Sequence, residues 1–136
     1  MRTVFRQCLV LALLAALPAL GAAFFHPKRP AWQSNEVTPA VAAAWGTKVL
    51  WIDARSQADF ETAHIPGALP LNEDAWDALL PDVLAAWDPG KTVVVYCSSL
   101  SCHTSREVAR RLCDEVGLPA VFVLEGGWEA WKKAHP

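Results

Sequence analysis

The stretch Val93–Arg106, VVVYCSSLSCHTSR, decides how the rest of this chain is read. The run Thr92–Tyr96 has the length and β-branching of a buried strand. Cys97 follows it directly, and the short polar stretch Ser98, Ser99, Leu100, Ser101, Cys102, His103 and Thr104 leads to a helix expected from about Ser105. That helix carries Val108, Ala109, Leu112, Cys113 and Val116 at three-and-four spacing, with Arg106, Arg110, Arg111 and Glu115 on its wet side and Gly117 as its stop. The pattern sets a thiol at the carboxyl edge of a strand, beneath backbone N–H groups and facing a helix N-terminus. Such a place stabilises negative charge and favours thiolate over thiol.

Working outward, strands and helices alternate. Glu36–Val37 reads as a short first strand, and Thr38 with Pro39 as the cap and first turn of a helix that Gly46 ends. Val49–Ile52 is a second buried strand, Ser56 caps a helix through about Ala63, and Leu69–Leu71 is a third short strand. Asn72 or Asp74 is expected to cap a helix with Trp76, Leu79 and Leu80, and Pro81–Trp87 to form a second helical piece. Asp88–Pro89–Gly90 is a turn, Ala120–Leu124 the last strand, and Gly126–Gly127 leads into a closing helix with Trp128 and Trp131. This order predicts an α/β fold, a mostly parallel central sheet with helices on both faces. Ligands of such sheets bind outside the carboxyl ends of the strands, where Cys97 lies.

The first residues belong to another class. Arg2 and Arg6 precede an uncharged apolar run, Cys8–Phe25, with small residues at Gly21–Ala22–Ala23. Residues 1–25 read as a secretory signal peptide or an uncleaved membrane anchor, because a run of about 18 residues reaches the lower limit for a span. No polar face exists to make it a globular surface helix. Residues 26–35, with two prolines, read as a linker, and residues 36–136 as one domain. The expected location is exported, periplasmic or membrane-anchored, with attachment through residues 8–25.

A net charge of −2 with no basic stripe excludes a nucleic-acid partner. Seven scattered Trp residues point to large buried area rather than a binding platform. The Cys residues, at 8, 97, 102 and 113, are not spread as a disulfide framework would be.

Three ordered motifs resemble the rhodanese-like domain. Ile52–Arg55, Phe60–Glu61 and His64–Ala68 are similar to its front half; Val94–Cys97 with Ser105–Leu112 to its active-site half; and Val123–Trp131 to its C-terminal signature. The resemblance implies a rhodanese-like fold and a single-domain sulfurtransferase of the thiosulfate type. In that family the thiolate at the Cys97 position takes a sulfane sulfur from a donor such as thiosulfate or polysulfide. The resulting persulfide passes its sulfur to a thiol, cyanide or a protein acceptor. A small sulfur-containing anion is the implied ligand, and neither metal nor organic cofactor is needed. The alternatives are a non-catalytic binding or sensor module of the same fold, or a thiol redox protein using Cys97 and Cys102.

The loop departs from the family pattern. A usual sulfurtransferase loop holds six residues counting the Cys, whereas aligning Ser105 leaves eight, Cys97–Thr104, with no Gly. A wider loop changes the cradle's diameter and bears on thiosulfate as the donor. Phosphatases of the same fold need an Arg at the sixth residue after the Cys, where this chain has His103.

Residue by residue, Cys97 is the expected nucleophile and Cys102 a candidate resolving thiol. Ser98, Ser99, Leu100, Ser101, Cys102, His103, Thr104 and Arg106 form the expected substrate-binding loop. Asp53, Arg55 and His64 read as structural groups near the site, the first two as a fork-shaped ion pair. Cys113 reads as core. Cys97, Cys102, His103 and Cys113 include zinc-type ligands, but their spacing matches no familiar site, so no metal is expected.

Overall fold

The structure is a computed structural model that describes residues 35–98 and 103–136. The expected signal peptide or anchor, most of the linker, and the loop positions Ser99, Leu100, Ser101 and Cys102 lie outside the described residues. Among the described residues no helix is long and apolar enough to cross a membrane.

Five strands form one sheet: β1 (Glu36–Val37), β2 (Val49–Asp53), β3 (Leu69–Pro70), β4 (Thr92–Tyr96) and β5 (Val121–Leu124). Their spatial order is β1-β5-β4-β2-β3, and every pairing is parallel. The central strand, β4, is therefore flanked on both sides, with Asp53 opposite Tyr96 on one neighbour and Val123 opposite Val95 on the other. The crossovers are made by α1 (Pro39–Ala44), α2 (Gln57–Thr62), α3 (Trp76–Ala86) and α4 (His103–Asp114), and α5 (Gly127–Ala134) follows the last strand.

Successive strand side chains point to opposite faces, so each strand feeds two cores. Leu50, Ile52, Val93, Val95, Val121 and Val123 pack with Trp76 and Val83 of α3 and with Val108, Ala109 and Leu112 of α4. Trp51, Val94, Tyr96 and Leu124 pack on the other face with Ala42 of α1, Phe60 of α2, and Trp128 and Trp131 of α5. Val93, Val94, Val95 and Tyr96 are all fully buried, which accounts for the unbroken apolar run of β4. Cys113 packs half-buried against the first of these cores.

Local chemistry fixes the helix ends. The Val41 N–H donates to Thr38 Oγ1 at 3.4 Å, and the Asp59 N–H to Ser56 Oγ at 3.2 Å, both as N-caps. Two expectations need correction. Neither Asn72 nor Asp74 is the cap of α3: Ala75 holds that position, and Asn72 Oδ1 instead accepts from the Ala75 N–H at 2.9 Å. Nor does Pro81 divide the helix, which runs unbroken from Trp76 to Ala86. Proline removes one helical hydrogen bond there, but Leu79, Leu80 and Val83 around it are anchored on the core.

Candidate active site

The site sits where β4 ends. The Ala54 N–H donates to the Tyr96 carbonyl at 2.9 Å, so the pairing of β2 with β4 continues to the last residue before Cys97. Beyond that point the chain is held by α5. The Trp128 N–H donates to the Cys97 carbonyl at 2.7 Å, and the Glu129 N–H to the Ser98 carbonyl at 3.2 Å. Donors that a helix N-terminus leaves unsatisfied are thus used to clamp the start of the loop. The entry into α5 requires positive φ at Gly126 (73°) and Gly127 (56°), a conformation that side chains rarely adopt. The paired glycines are the sequence signal for this clamp, although its target is not legible from them.

Helix α4 begins at His103, two residues before the expected start, so six residues, 97–102, lie between β4 and α4 rather than eight. Thr104 and Arg106 accordingly belong to the helix. His103, its first residue, is exposed. Arg106 Nη2 donates to Glu36 Oε1 at 2.7 Å, with both side chains more than a third exposed. Its guanidinium therefore answers a carboxylate of β1, and it is not among the residues that line the cavity at Cys97.

That cavity has a volume of about 420 Å³ and opens at the carboxyl end of the sheet. Ala54, Arg55, Ser56 and Asp59 wall it after β2; Asn72, Glu73 and Asp74 after β3; Cys97, Ser98 and Thr104 after β4. Cys97 has only 4% of its surface exposed, yet it forms part of the cavity wall. In this structure its sulfur is disulfide-bonded. The N–H cradle expected around that sulfur would be made largely by residues 99–102, outside the described ones.

Arg55, one of the wall residues, forms a buried ion pair with Asp53. Arg55 Nε donates to Asp53 Oδ1 at 3.0 Å and Arg55 Nη2 to Oδ2 at 2.6 Å. The Arg55 N–H also donates to Oδ1 at 3.0 Å, and Nη2 reaches the Ala63 carbonyl at 2.7 Å. The Arg55 guanidinium lies 4.8 Å from the Trp128 ring centroid and 5.6 Å from that of Tyr96. Burial alone would weaken the guanidinium's hold on its proton, but the hydrogen bond and charge of Asp53 more than offset it and raise the pKa. Together Asp53 and Arg55 tie the end of β2 to the segment after α2 and to the ring that follows the glycine pair. His64 closes that segment: its Nδ1 lies 2.8 Å from the Phe60 carbonyl and its ring stacks on Phe60.

Tyr96 is a positioning residue that the sequence did not single out. It is fully buried, and its hydroxyl accepts from the Ile65 N–H at 3.1 Å. Burial pushes the phenol well above its usual range, the Ile65 bond lowers it somewhat, and the nearby Asp53 charge raises it again. It therefore stays neutral at any physiological pH. Tyr96→Phe leaves a buried N–H without its acceptor, and the expected loss of stability is about 1–3 kcal/mol, read from urea unfolding.

A family model, the rhodanese-like domain, matches residues 38–134. The chain belongs to the rhodanese-like family. The rhodanese-like domain so matched takes in every strand and helix of the fold except β1. Among its relatives is a thiosulfate sulfurtransferase, GlpE, of Coxiella burnetii, 37% identical over 88 residues that cover 65% of this chain and 76% of the relative. Another, from Stutzerimonas stutzeri and of the same name, is 32% identical over 85 residues, 62% of this chain and 72% of that one. In fold, the rhodanese-like domain is similar to the BH2092 protein of Bacillus halodurans. The TM-score is 0.62 at 22% identity, over 74% of this chain and 73% of that one. It also matches part of a thiosulfate sulfurtransferase from Pseudomonas aeruginosa, with a TM-score of 0.56 at 23% identity over 76% of this chain and 19% of that one.

Proposed function

We propose that this rhodanese-like protein is a sulfurtransferase in which Cys97 carries a sulfane sulfur as a persulfide. The observation that carries the reading is the placement of Cys97 on a cavity wall at the carboxyl end of the central strand. A thiol reductant first opens the Cys97 disulfide by exchange and returns the thiolate. The thiolate then attacks the outer sulfur of a donor such as thiosulfate or polysulfide. With thiosulfate the donor's S–S bond breaks and sulfite leaves with the electron pair. The Cys97 persulfide next meets a thiolate or cyanide, which takes the terminal sulfur and leaves Cys97 as thiolate. Relatives bearing the name thiosulfate sulfurtransferase support this chemistry. Thiocyanate formation from cyanide, measured with thiosulfate and with polysulfide after reduction and desalting, tests it. Turnover above the uncatalysed rate is expected with at least one donor; a protein inert with both is a binding module or a thiol redox protein instead.

The leader supports an exported or membrane-tethered placement, with Arg2 and Arg6 before the apolar run 8–25. Recovery of the intact chain in the soluble cytoplasmic fraction would contradict that placement.

The Cys97 disulfide favours a second reading, a thiol redox protein using Cys97 and Cys102. It predicts reversible loss of two hydrogens in a glutathione redox buffer, dependent on both residues, with no sulfur gained from any donor.

A further inference from the structure

The charge on the cavity wall adds an acceptor class to the sulfur-carrier reading, and that class stands only if Cys97 carries sulfur. Asp59, Glu73 and Asp74 all line the cavity that holds Cys97, and all three are exposed. None of them makes a salt bridge among the described residues. Among the described residues Asp59 Oδ2 accepts from the Ser56 hydroxyl, at 2.7 Å, which is uncharged. The one cation among the described lining residues is Arg55, and its charge is taken up by Asp53 in the buried fork. Arg106, the first arginine or lysine after Cys97, is paired with Glu36. Residues 98–104 add no lysine or arginine. Among the described residues the wall therefore carries net negative charge, on carboxylates that no basic side chain pairs with.

We propose that this cavity selects sulfur acceptors by charge, taking thiols with a positive charge close to the sulfur in preference to anionic thiols. A cationic thiolate partner sets its ammonium among Asp59, Glu73 and Asp74 while its sulfur attacks the terminal sulfur of the Cys97 persulfide. The bond between that sulfur and Cys97 Sγ breaks, a new persulfide leaves on the acceptor, and Cys97 is again thiolate. The same wall repels dianionic donors, thiosulfate and inorganic polysulfide alike, so both load Cys97 slowly and the donor is supplied in excess.

The probes are cysteamine, 2-mercaptoethanol and mercaptoacetate, small thiols of positive, zero and negative substituent charge. The full-length protein is reduced, desalted and loaded with excess polysulfide, and loading is checked by intact mass. Rates of sulfur loss to each thiol are normalised to thiolate concentration. The rate for cysteamine is expected to exceed that for mercaptoacetate. In Glu73→Gln/Asp74→Asn the ratio falls about sixteenfold, roughly twofold per carboxylate per unit of ligand charge at a near-aqueous dielectric, over two carboxylates and two units of charge. Raising salt to about 1 M narrows the wild-type ratio in the same direction, a check that needs no variant to fold. Comparing ratios between proteins cancels the intrinsic reactivities of the thiols. A protein that takes up no sulfur overturns the carrier reading and this proposal together. A protein that loads sulfur, but whose ratio is unmoved by salt and by the double substitution, overturns the charge selection and leaves the carrier reading standing.

Discussion

Cys97→Ser is expected to reduce sulfur transfer to the uncatalysed rate, a loss of at least about a thousandfold in kcat/KM. A serine hydroxyl is far less ionised and far less nucleophilic toward sulfur than a thiolate. The fold should survive the change. Cys97 makes its backbone contacts through its carbonyl, which accepts from the Trp128 N–H, and serine keeps that carbonyl. An unchanged circular dichroism spectrum and unfolding midpoint, both compared with the reduced wild-type protein because the exchange also removes the Cys97 disulfide, would show that chemistry and not structure was removed. Cys102→Ser separates the readings further. A carrier that uses Cys97 alone keeps its turnover without Cys102, and gains it under oxidising conditions if Cys102 is what restrains the nucleophile. A redox protein loses its function with either substitution.

Arg55→Ala has the largest expected effect on stability. Asp53 has none of its surface exposed, and Arg55 supplies both prongs of the fork that balances its charge. Removing one partner of a buried pair strands the other, at about 3–5 kcal/mol. Against a net stability of about 5–15 kcal/mol that is a large fraction. The thermal midpoint should fall by on the order of 15 °C or more. Arg55→Lys should rescue little, because a single ammonium cannot reproduce the planar contacts to Asp53, the Ala63 carbonyl and the Trp128 ring. A drop of less than about 1 kcal/mol would mean that Asp53 finds water or another donor, and the pair would lose its bracing role.

Strands β2, β4 and β5 were legible as short β-branched runs between turn signals, and β1 and β3, two residues each, fall where short extended pieces were expected. Parallel pairing followed from the intervening helices, and the structure is parallel throughout. The start of α4 was less legible for a physical reason. Residues 98–105 offer Ser and Thr at five positions, each a competent cap, so local preference alone does not choose between them. Pro81 misled in the opposite sense. Its local cost is real, but packing of its neighbours on the core outweighs it, which no local pattern reveals.

At the site, Cys97 stood out in the sequence by its place between a buried strand and a helix, and Asp53 and Arg55 as a carboxylate and a guanidinium near a strand end that can pair as a fork. Asp59, Glu73 and Asp74 did not. They are ordinary exposed carboxylates until two crossovers bring them to the same cavity. The clamp of Trp128 and Glu129 on residues 97 and 98 is a backbone contact between distant segments, and only the paired glycines before it leave a trace in the sequence.

The measurement that bears most directly on the carrier role of Cys97 is the intact mass of the reduced, desalted protein after exposure to excess inorganic polysulfide, with the adduct mapped by peptide. One added sulfur is predicted, located on Cys97 and released by cyanide as thiocyanate. An unchanged mass, or sulfur that sits on Cys102 or Cys113 and persists when Cys97 is replaced, would contradict it.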